Sequence, residues 1–293
     1  MSGWKKVLYY DQGYPDNYIE PELFLADLKK NLHTKPYRYF FVVQESGALV
    51  QQLSCVCCFI CVFVWLQQEW LSPVVLMCCS FLLTLSSFLL VEVSTSNGLF
   101  SLSKTGNIQQ FAMVIFFLCL LSPIMRTLTE SISTDTIWAM SFGMMLVHLA
   151  FHNYGVPQAG AKVSDSVSLN AAVFAAVCLA SRLTTSLDTF SLLSCAIEMF
   201  VFFPHFRRTI KEASPKFAVC MTALWVAASI SLLITISSIA LTFYLLTTMM
   251  ITFVCPLWVI KLQHLKNNIY GPWDEAVLNK EENESVGNSD QSI

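Results

Sequence analysis

Three ionisable residues lie close together between two apolar runs of this sequence, around the stretch LTESISTDTIWAMS at residues 128–141. Glu130 and Asp135 belong to the stretch, and Arg126 lies just before it. Ionisable groups at membrane depth are costly, so they commonly mark ion paths, proton relays or polar contacts between helices. Because Arg126 can balance either carboxylate, we expect a polar, charge-balanced element here.

The hydroxyl groups of the same stretch suit the start of a helix. Ser133, Thr134 and Asp135 are residue types that accept hydrogen bonds from the free N–H groups of a helix N-terminus. The apolar run that contains WAMSFGMMLVHL follows at once. Two arrangements stay open for the element. It is either a capped turn at the face of the membrane away from the cytosol, or a re-entrant polar patch surrounded by protein or water.

Histidine and cysteine spacings elsewhere raise the question of a metal site. His148 and His152 are four residues apart and share one helical face. Cys55, Cys58 and Cys61 could also share a face. Structural zinc needs four ligands in a closed site, and a buried cysteine otherwise behaves as a small hydrophobic residue. We therefore expect no metal, cofactor or disulfide framework, and local hydrogen bonds explain the two histidines equally well.

Glu198 lies inside an apolar run, with Ala196, Ile197, Met199 and Phe200 as its neighbours. A carboxylate in such a run is a candidate for a proton or ion relay. A relay needs a chain of such groups. A lone carboxylate instead favours a polar contact between helices or with a partner subunit.

The elements that must position these residues are membrane-spanning helices. Hydrophobic residues make up 55% of the 293 residues and charged residues only 13%, whereas a soluble domain carries roughly 25% charged residues. Apolar runs near the length of a bilayer crossing recur along the chain. They predict an all-α integral membrane protein with about eight transmembrane helices. The runs are residues 47–66, 73–91, 109–126, 136–152, 168–185, 188–204, 217–236 and 238–260, with a polar turn at 182–188 between the fifth and sixth.

The basic residues orient these helices. With both termini in the cytosol, only Arg126 and Arg182 of the 17 Lys and Arg residues fall on the opposite side. Cytosolic loops of membrane proteins carry an excess of Lys and Arg, so we expect both termini in the cytosol. The sequon Asn283-Glu284-Ser285 should then stay unglycosylated.

Three segments follow from this pattern. Residues 1–46 form a cytosolic N-terminal segment, residues 47–262 the multi-pass transmembrane helical domain, and residues 263–293 a cytosolic polar tail. Within the first segment, PELFLADLKKNLH at residues 21–33 places its apolar side chains on one stripe, which predicts a short amphipathic helix. The acidic end of the tail is predicted to be disordered.

Several enzyme classes lack their signature in this sequence. It has no GxxxxGK[ST] phosphate loop, GxGxxG fingerprint, GxSxG elbow or HExxH zinc motif. The longest stretch outside the apolar runs has 46 residues, which is much shorter than a typical nucleotide-binding domain. We therefore expect neither a nucleotide-sugar site nor a nucleic-acid partner for this chain.

The stretch at residues 128–141 resembles the signature of the PIG-C family, whose members are membrane subunits of phosphatidylinositol N-acetylglucosaminyltransferase. Five other segments agree with it in order along nearly the whole chain: WKKVLY (4–9), YPDNY (14–18), VVQESGALVQQL (42–53), SLNAAVFAAVCLASRL (168–183) and IYGPWDEA (269–276). The resemblance implies a multi-pass subunit of the endoplasmic-reticulum membrane. Its complex transfers N-acetylglucosamine from UDP-GlcNAc to phosphatidylinositol on the cytosolic face, in the first step of GPI-anchor biosynthesis.

The resemblance also implies a division of labour. The catalytic glycosyltransferase of that complex is a separate subunit, PIG-A, and the other partners are PIG-H, PIG-P, PIG-Q and PIG-Y. We therefore expect a non-catalytic subunit, with no catalytic residue to assign. It would scaffold the catalytic subunit and help present phosphatidylinositol.

The basic loop at residues 205–216 is the second candidate site. Arg207, Arg208 and Lys211 would meet anionic phospholipid headgroups or acidic residues of a partner subunit. Two other functions stay open from the residues alone. A transporter or channel of the endoplasmic-reticulum membrane would show broken helices and repeated halves. An intramembrane enzyme would use the histidine pair and nearby carboxylates.

Overall fold

The contacts within the chain divide it into two units. One consists of Tyr39–Leu257, and the other combines Met1–Arg38 with Trp258–Ile293. The computed structural model describes residues 36–94, 122–124, 132–155 and 161–263, together with positions 11, 13, 15, 18, 29–31, 265, 269 and 270.

Helices make up almost all of the regular structure in this described part of the chain. They are α1 (Tyr39–Gln67), α2 (Pro73–Ser94), α3 (Thr134–Phe151), α4 (Ala161–Ala180), α5 (Ser186–Ile197), α6 (Phe203–Ala213), α7 (Pro215–Ile236), α8 (Ser238–Met249) and α9 (Cys255–Gln263). A π-helical turn at Glu198–Phe202 joins α5 to α6, and a second at Met250–Val254 joins α8 to α9. The predicted all-helical class is confirmed.

Four of the described helical runs are long and apolar enough to cross a membrane, judged by length and composition. They are Tyr39–Gln67, Ser186–Lys211, Lys216–Ile236 and Ser238–Gln263. Two shorter apolar helices, Pro73–Ser86 and Ser164–Ala180, accompany them. The predicted third run, residues 109–126, lies outside the described residues except for 122–124. A total of eight spans therefore stays a prediction.

Helix α1 is the central helix of the larger unit, since it packs against α3, α5 and α7. Its Phe59 and Phe63 are fully buried, and the Phe59 ring meets Phe200 edge-on with centroids 5.3 Å apart. On α4, Ala172 and Ala175 are also fully buried. Small side chains of this kind let neighbouring helices approach closely. The main core thus lies where α1, α4 and α5 meet.

A short turn separates α4 from α5, where the sequence predicts one. The Asp188 N–H donates to Thr185 Oγ1 at 3.1 Å, and the Thr185 N–H donates to Asp188 Oδ2 at 3.3 Å. This reciprocal pair is a capping box, which satisfies free N–H groups at the helix start. The division between the predicted runs 168–185 and 188–204 is therefore confirmed.

Each π-helical turn is followed by a proline, Pro204 in α6 and Pro256 in α9. In an unbroken α-helix a proline ring clashes with the carbonyl four residues earlier and leaves it without a donor. The π turn inserts one extra residue and widens the helix at that point. Both helical runs continue past their prolines, as Phe203–Ala213 and Cys255–Gln263.

The smaller unit contains a short antiparallel pairing of β1 (Lys29–Lys30) with β2 (Ile269–Tyr270). The amphipathic helix predicted over residues 21–33 is wrong in this part, because both lysines are extended and Asn31 has a φ of 59°. Pairing with a distant segment replaces the helical hydrogen bonds, and asparagine tolerates left-handed backbone. The rest of that predicted helix and the predicted disordered tail lie outside the described residues.

Candidate functional site

The start of α3 carries the hydroxyl groups predicted to cap it. The Thr136 N–H donates to Ser133 Oγ at 3.3 Å, and the two hydroxyl oxygens lie 2.7 Å apart. Thr134 is the first helical residue, and Asp135 lies in the first turn, where the helix dipole favours a carboxylate. All of these residues are exposed. The N-cap prediction is confirmed, with Ser133 as the cap.

A different arginine from the one expected contacts this element. Arg126 and Glu130 lie outside the described residues. Arg182 NH2, which the sequence assigns only to the turn after α4, donates to the Ile132 carbonyl at 2.5 Å. The contact ties that turn to the chain just before α3. No local pattern signals it, because the two residues are 50 positions apart.

His148 is the centre of a buried polar network between α1, α3 and α4. Its Nε2 lies 2.7 Å from Gln52 Nε2, and its Nδ1 lies 2.9 Å from the Ser168 carbonyl oxygen. A carbonyl can only accept, so Nδ1 carries the proton and Nε2 accepts from the Gln52 amide. The Ser168 hydroxyl donates back to the His148 carbonyl at 3.0 Å. Both ring nitrogens of a neutral imidazole are thus used to join three helices.

His152, at the end of α3, meets Arg207. Arg207 NH2 lies 3.3 Å from His152 Nε2, and NH1 donates to the Ala48 carbonyl at 2.8 Å. A guanidinium can only donate, so His152 Nε2 accepts. The Tyr154 hydroxyl donates to the Leu149 carbonyl at 2.6 Å. Burial raises the pKa of Tyr154 to about 12 and outweighs the opposing effect of the Arg207 charge. The Tyr154 hydroxyl near Arg207 is therefore neutral.

The segment that carries Arg207 is helical, so the loop predicted at residues 205–216 is wrong as far as the end of α6. Phe203, Phe206 and Ile210 are buried on one side of this helix. Their spacing of three and four residues is that of a helix face. This spacing is the signal in the sequence, but the charged residues between them make the segment read as a loop.

The other two predicted basic residues reach neighbouring helices. Arg208 NH2 donates to the Asn153 carbonyl at 2.9 Å and lies 4.0 Å from Asp165 Oδ1. Lys211 Nζ forms an ion pair with Glu45 Oε2 at 2.5 Å. Both ion pairs are partly exposed, and each contributes only about 0.2–1 kcal/mol. The structure thus brings the three predicted basic residues to one end of the bundle.

A pocket opens beside these basic residues, where α1, α6 and α7 meet. It is a small cleft that is partly open to the surroundings. The lining residues are Gln44, Gly47, Ala48, Gln51, Arg207, Lys211, Ala218, Val219 and Thr222. A Cβ added at Gly47 would lie 3.4 Å from Thr222 Oγ1, so glycine at this position lets α1 and α7 come close together.

The predicted site residues that the structure describes fall into two groups at opposite ends of α3. Ser133, Thr134 and Asp135 lie at its N-terminus, whereas Arg207 contacts the residue that ends it. Helix α3 has 18 residues, which corresponds to about 27 Å. The two groups therefore cannot form one site, and only the basic group adjoins the pocket.

Glu198 is a contact between helices. It opens the first π-helical turn, and its Oε1 accepts a hydrogen bond of 3.2 Å from the Thr84 hydroxyl of α2. This is the polar helix–helix contact that a lone carboxylate predicts, and the prediction is confirmed.

Three polar residues of the segment VVQESGALVQQL (42–53) have roles that the sequence does not assign. Glu45, Gln51 and Gln52 each form a hydrogen bond or ion pair with a different helix. Their partners lie 96 or more positions away along the chain. The local signal is that polar side chains, these three among them, interrupt a mostly apolar helix.

Comparison with known proteins covers almost the entire chain. Residues 4–274 match the family model described as phosphatidylinositol N-acetylglucosaminyltransferase. The Homo sapiens protein named as the C subunit of phosphatidylinositol N-acetylglucosaminyltransferase is 38% identical over 281 residues, which cover 95% of this chain and 94% of that protein. The chain belongs to the PIG-C family.

Two fungal members of the PIG-C family show how far the similarity extends. The GPI2 subunit of the same transferase from Schizosaccharomyces pombe is 34% identical over 94% of this chain and 86% of its own length. Its counterpart from Saccharomyces cerevisiae is 22% identical to this chain, over 73% of this chain and 76% of its own length. No solved structure matches the chain. The family match confirms the resemblance drawn from LTESISTDTIWAMS and the five other segments.

Proposed function

We propose that this chain is a non-catalytic membrane subunit of the complex that transfers N-acetylglucosamine from UDP-GlcNAc to phosphatidylinositol, the first step of GPI-anchor biosynthesis. The observation that carries the proposal is the family match over residues 4–274. Relatives in animals and fungi bear names that describe subunits of phosphatidylinositol N-acetylglucosaminyltransferase. On this proposal the chain lies in the endoplasmic-reticulum membrane with both termini in the cytosol.

A scaffolding role is supported by the way the buried polar side chains are used. His148 joins α1, α3 and α4, and Arg207 joins α6 to α1 and to the end of α3. Glu198 joins the first π-helical turn to α2. Groups engaged in this way hold helices together. The transfer reaction itself then belongs to the separate subunit PIG-A.

The two alternative functions receive less support. The relatives are named as transferase subunits, so nothing in the comparisons favours a transporter or channel. An intramembrane enzyme would need His148 to reach a substrate. That side chain is fully buried, and both of its ring nitrogens are already bonded within the protein.

Partner subunits would contact the surfaces that this chain leaves exposed. Leu224 on α7 and Phe243 on α8 are exposed apolar residues on such surfaces. The proposed partners are PIG-A, PIG-H, PIG-P, PIG-Q and PIG-Y. We assign a structural role in the polar element before α3 to Arg126, Glu130, Ser133, Thr134 and Asp135. The basic residues Arg207, Arg208 and Lys211 would face lipid headgroups or acidic partner residues.

Deletion of the gene for this chain tests the proposed function. Microsomes from the deleted cells should lose transfer of labelled N-acetylglucosamine from UDP-GlcNAc to phosphatidylinositol, and adding the gene back should restore it. The control is the activity of an unrelated microsomal glycosyltransferase, which should not change. Full retention of the labelled lipid product in the deleted cells would overturn the proposal.

The role of the polar element has its own test. Asp135→Ala should lower the yield of assembled complex, measured by co-purification, whereas Asp135→Asn keeps a side-chain acceptor in the first turn and should lower it less. Normal assembly and activity of both variants would show that Asp135 has no structural role.

The proposed orientation is tested at the sequon. Asn283 should carry no glycan, so digestion with an endoglycosidase should not change the mobility of the protein on a gel. A resident glycoprotein of the same microsomes is the positive control for the digestion. A glycan on Asn283 would place the C-terminus on the other side of the membrane.

A further inference from the structure

The pocket between α1, α6 and α7 contains a buried positive charge. Arg207 is 6% exposed, and its two described hydrogen bonds go to a backbone carbonyl and to a neutral imidazole. Within the described residues no carboxylate forms an ion pair with it. A buried charge without a counter-charge is strongly destabilising, so an anion in the pocket would stabilise this arrangement.

A second cation faces the same pocket. Lys211 lines it and pairs with Glu45 at its edge. The Lys211 side chain is about one-third exposed, and its ammonium has three N–H donors to share between that carboxylate and a ligand. Two cations, one buried and one at the rim, suit a phosphodiester, which accepts charge-assisted hydrogen bonds.

The wall of the pocket holds a buried acceptor that has no donor among the described residues. Gln51 Nε2 donates to the Ala218 carbonyl at 3.2 Å and to Thr222 Oγ1 at 2.7 Å. Because the Ala218 carbonyl can only accept, the amide nitrogen and oxygen are assigned. Gln51 is 2% exposed, and within the described part of the chain its Oε1 has no hydrogen-bond partner. An unsatisfied buried acceptor is costly, and an outward shift of this side chain would let a ligand hydroxyl satisfy it.

The outer wall of the pocket is apolar and leads onto the outside of the bundle. Val219 lines the pocket and is 53% exposed. It belongs to α7, whose apolar window is only 11% buried within this chain. A ligand with a polar head in the pocket could therefore lay its hydrocarbon chains along α7.

We propose that this pocket binds the headgroup of a hydroxylated anionic phospholipid. The phosphodiester would lie on Arg207 and Lys211, a headgroup hydroxyl would donate to Gln51 Oε1, and the acyl chains would follow α7. That the lipid is the phosphatidylinositol used by the transferase rests on the proposed function. The binding of such a headgroup does not rest on it.

Two variants should weaken lipid binding in the pocket, each by a different cause. Val219→Trp fills it from the α7 wall, at a side chain that is half-exposed. Lys211→Gln removes the cation at the rim and leaves the Glu45 carboxylate to repel a phosphodiester. The matched controls are Ile234→Trp, at an exposed position of the same helix that does not line the pocket, and Lys216→Gln, which removes an exposed cation that does not line the pocket.

The kinetic test uses the complete complex in phosphatidylcholine nanodiscs with a graded mole fraction of phosphatidylinositol. Lys211→Gln should raise the KM for phosphatidylinositol by about tenfold, the value expected for one lost charge-assisted contact. Val219→Trp should also raise it, because the indole ring would occupy the space of the headgroup. The kcat and the yield of complex should stay within twofold of the unmodified complex, as should all parameters of the controls. Unchanged KM values in both pocket variants would overturn the proposal.

A binding test separates this inference from the proposed function. The full-length chain alone, in nanodiscs of the same composition, is photo-crosslinked to a photoactivatable phosphatidylinositol. Crosslinking should fall about tenfold in both pocket variants, even if deletion of the gene leaves the transferase active. Equal crosslinking of all variants would exclude the pocket as the lipid site.

Competitors identify the source of the phosphate. Unlabelled phosphatidylinositol should displace the probe, phosphatidylcholine should not, and soluble glycerophosphoinositol should compete only weakly because it lacks acyl chains. If glycerophosphoinositol competed as well as the lipid, the ligand would be a soluble phosphate ester, and the lipid proposal would be wrong.

Discussion

Helices α1 and α7 lie side by side and are both apolar, but α1 is mostly buried within this chain and α7 is mostly exposed. In α1, 61% of the most apolar window is buried within this chain, whereas the corresponding value for α7 is 11%. Phe59 of α1 is fully buried, and Leu224 of α7 is 61% exposed. The run that begins with α8 resembles α7 in this respect, also with 11% of its window buried.

The difference shows that apolar composition alone does not locate the core of this protein. Lipid chains are as apolar as leucine, so an outward-facing leucine costs little in a bilayer, and helices associate through close packing and polar contacts instead. Both features occur around α1, with its small neighbours on α4 and its buried glutamines. The outer faces of α7 and α8 are left for lipid or partner subunits.

The difference between buried and exposed helices is tested most strongly by the same substitution at a buried and at an exposed position. Phe59→Ala should lower the free energy of unfolding by about 3–5 kcal/mol, because it leaves a cavity in a packed interior. Phe243→Ala, at an exposed position of α8, should change it by no more than about 0.5 kcal/mol. Denaturant unfolding of the purified chain in lipid micelles measures both values. Equal losses would show that burial within the chain does not define its core.

A second substitution tests the polar part of the core. Gln52→Leu should destabilise the chain by about 1–3 kcal/mol, because the buried His148 Nε2 loses its donor. Gln67→Leu, at the exposed end of the same helix, is the control and should have little effect. The same unfolding measurement applies. A Gln52→Leu variant as stable as the unmodified chain would mean that the network contributes nothing.

The cap of α3 should have a smaller effect. Ser133→Ala removes the acceptor of the Thr136 N–H and should cost about 1 kcal/mol. Ser133→Asp keeps an acceptor at the N-cap and should restore most of the loss. Hydrogen exchange of the first turn of α3 reports the change locally. Identical exchange in all three forms would contradict the capping role.

The smallest effect on stability is expected on the exposed face of α8, where a substitution can distinguish contact with lipid from contact with a partner subunit. Leu246→Ala, at an exposed position of α8, should leave the unfolding free energy of the isolated chain within about 0.5 kcal/mol. If α8 faces a partner subunit, the same substitution should lower the yield of complex on co-purification. Unchanged yield would assign this part of α8 to lipid.

The sequence predicts features that depend on short-range patterns. The turn between α4 and α5 and the Ser133 cap are both present, because residues next to each other in the chain determine them. Predictions fail where a distant segment decides the structure. Lys29 and Lys30 pair with residues near the other end of the chain, so the helical stripe does not decide the conformation of these two residues.

The sequence predicts the charges of the basic residues but not the helix and pocket around them. The charges of Arg207, Arg208 and Lys211 mark a surface, but their helix depends on burying Phe203 and its neighbours against α1 and α7. The pocket beside them needs Gly47 and Gln51 from a segment more than 150 positions away. Composition and charge cannot reveal such a meeting, since neither encodes which helices become neighbours.

The first π-helical turn fixes the angular phase of α6. Successive residues of an α-helix are about 100° apart around its axis, so the one extra residue in Glu198–Phe202 rotates everything that follows by about that angle. Arg207 reaches the Ala48 carbonyl in this phase. Loss of one residue from the turn would leave length, charge and hydropathy almost unchanged, yet it would swing the guanidinium away from α1. The number of residues between the capping box and Arg207 is therefore under a constraint of its own, independent of which residues they are.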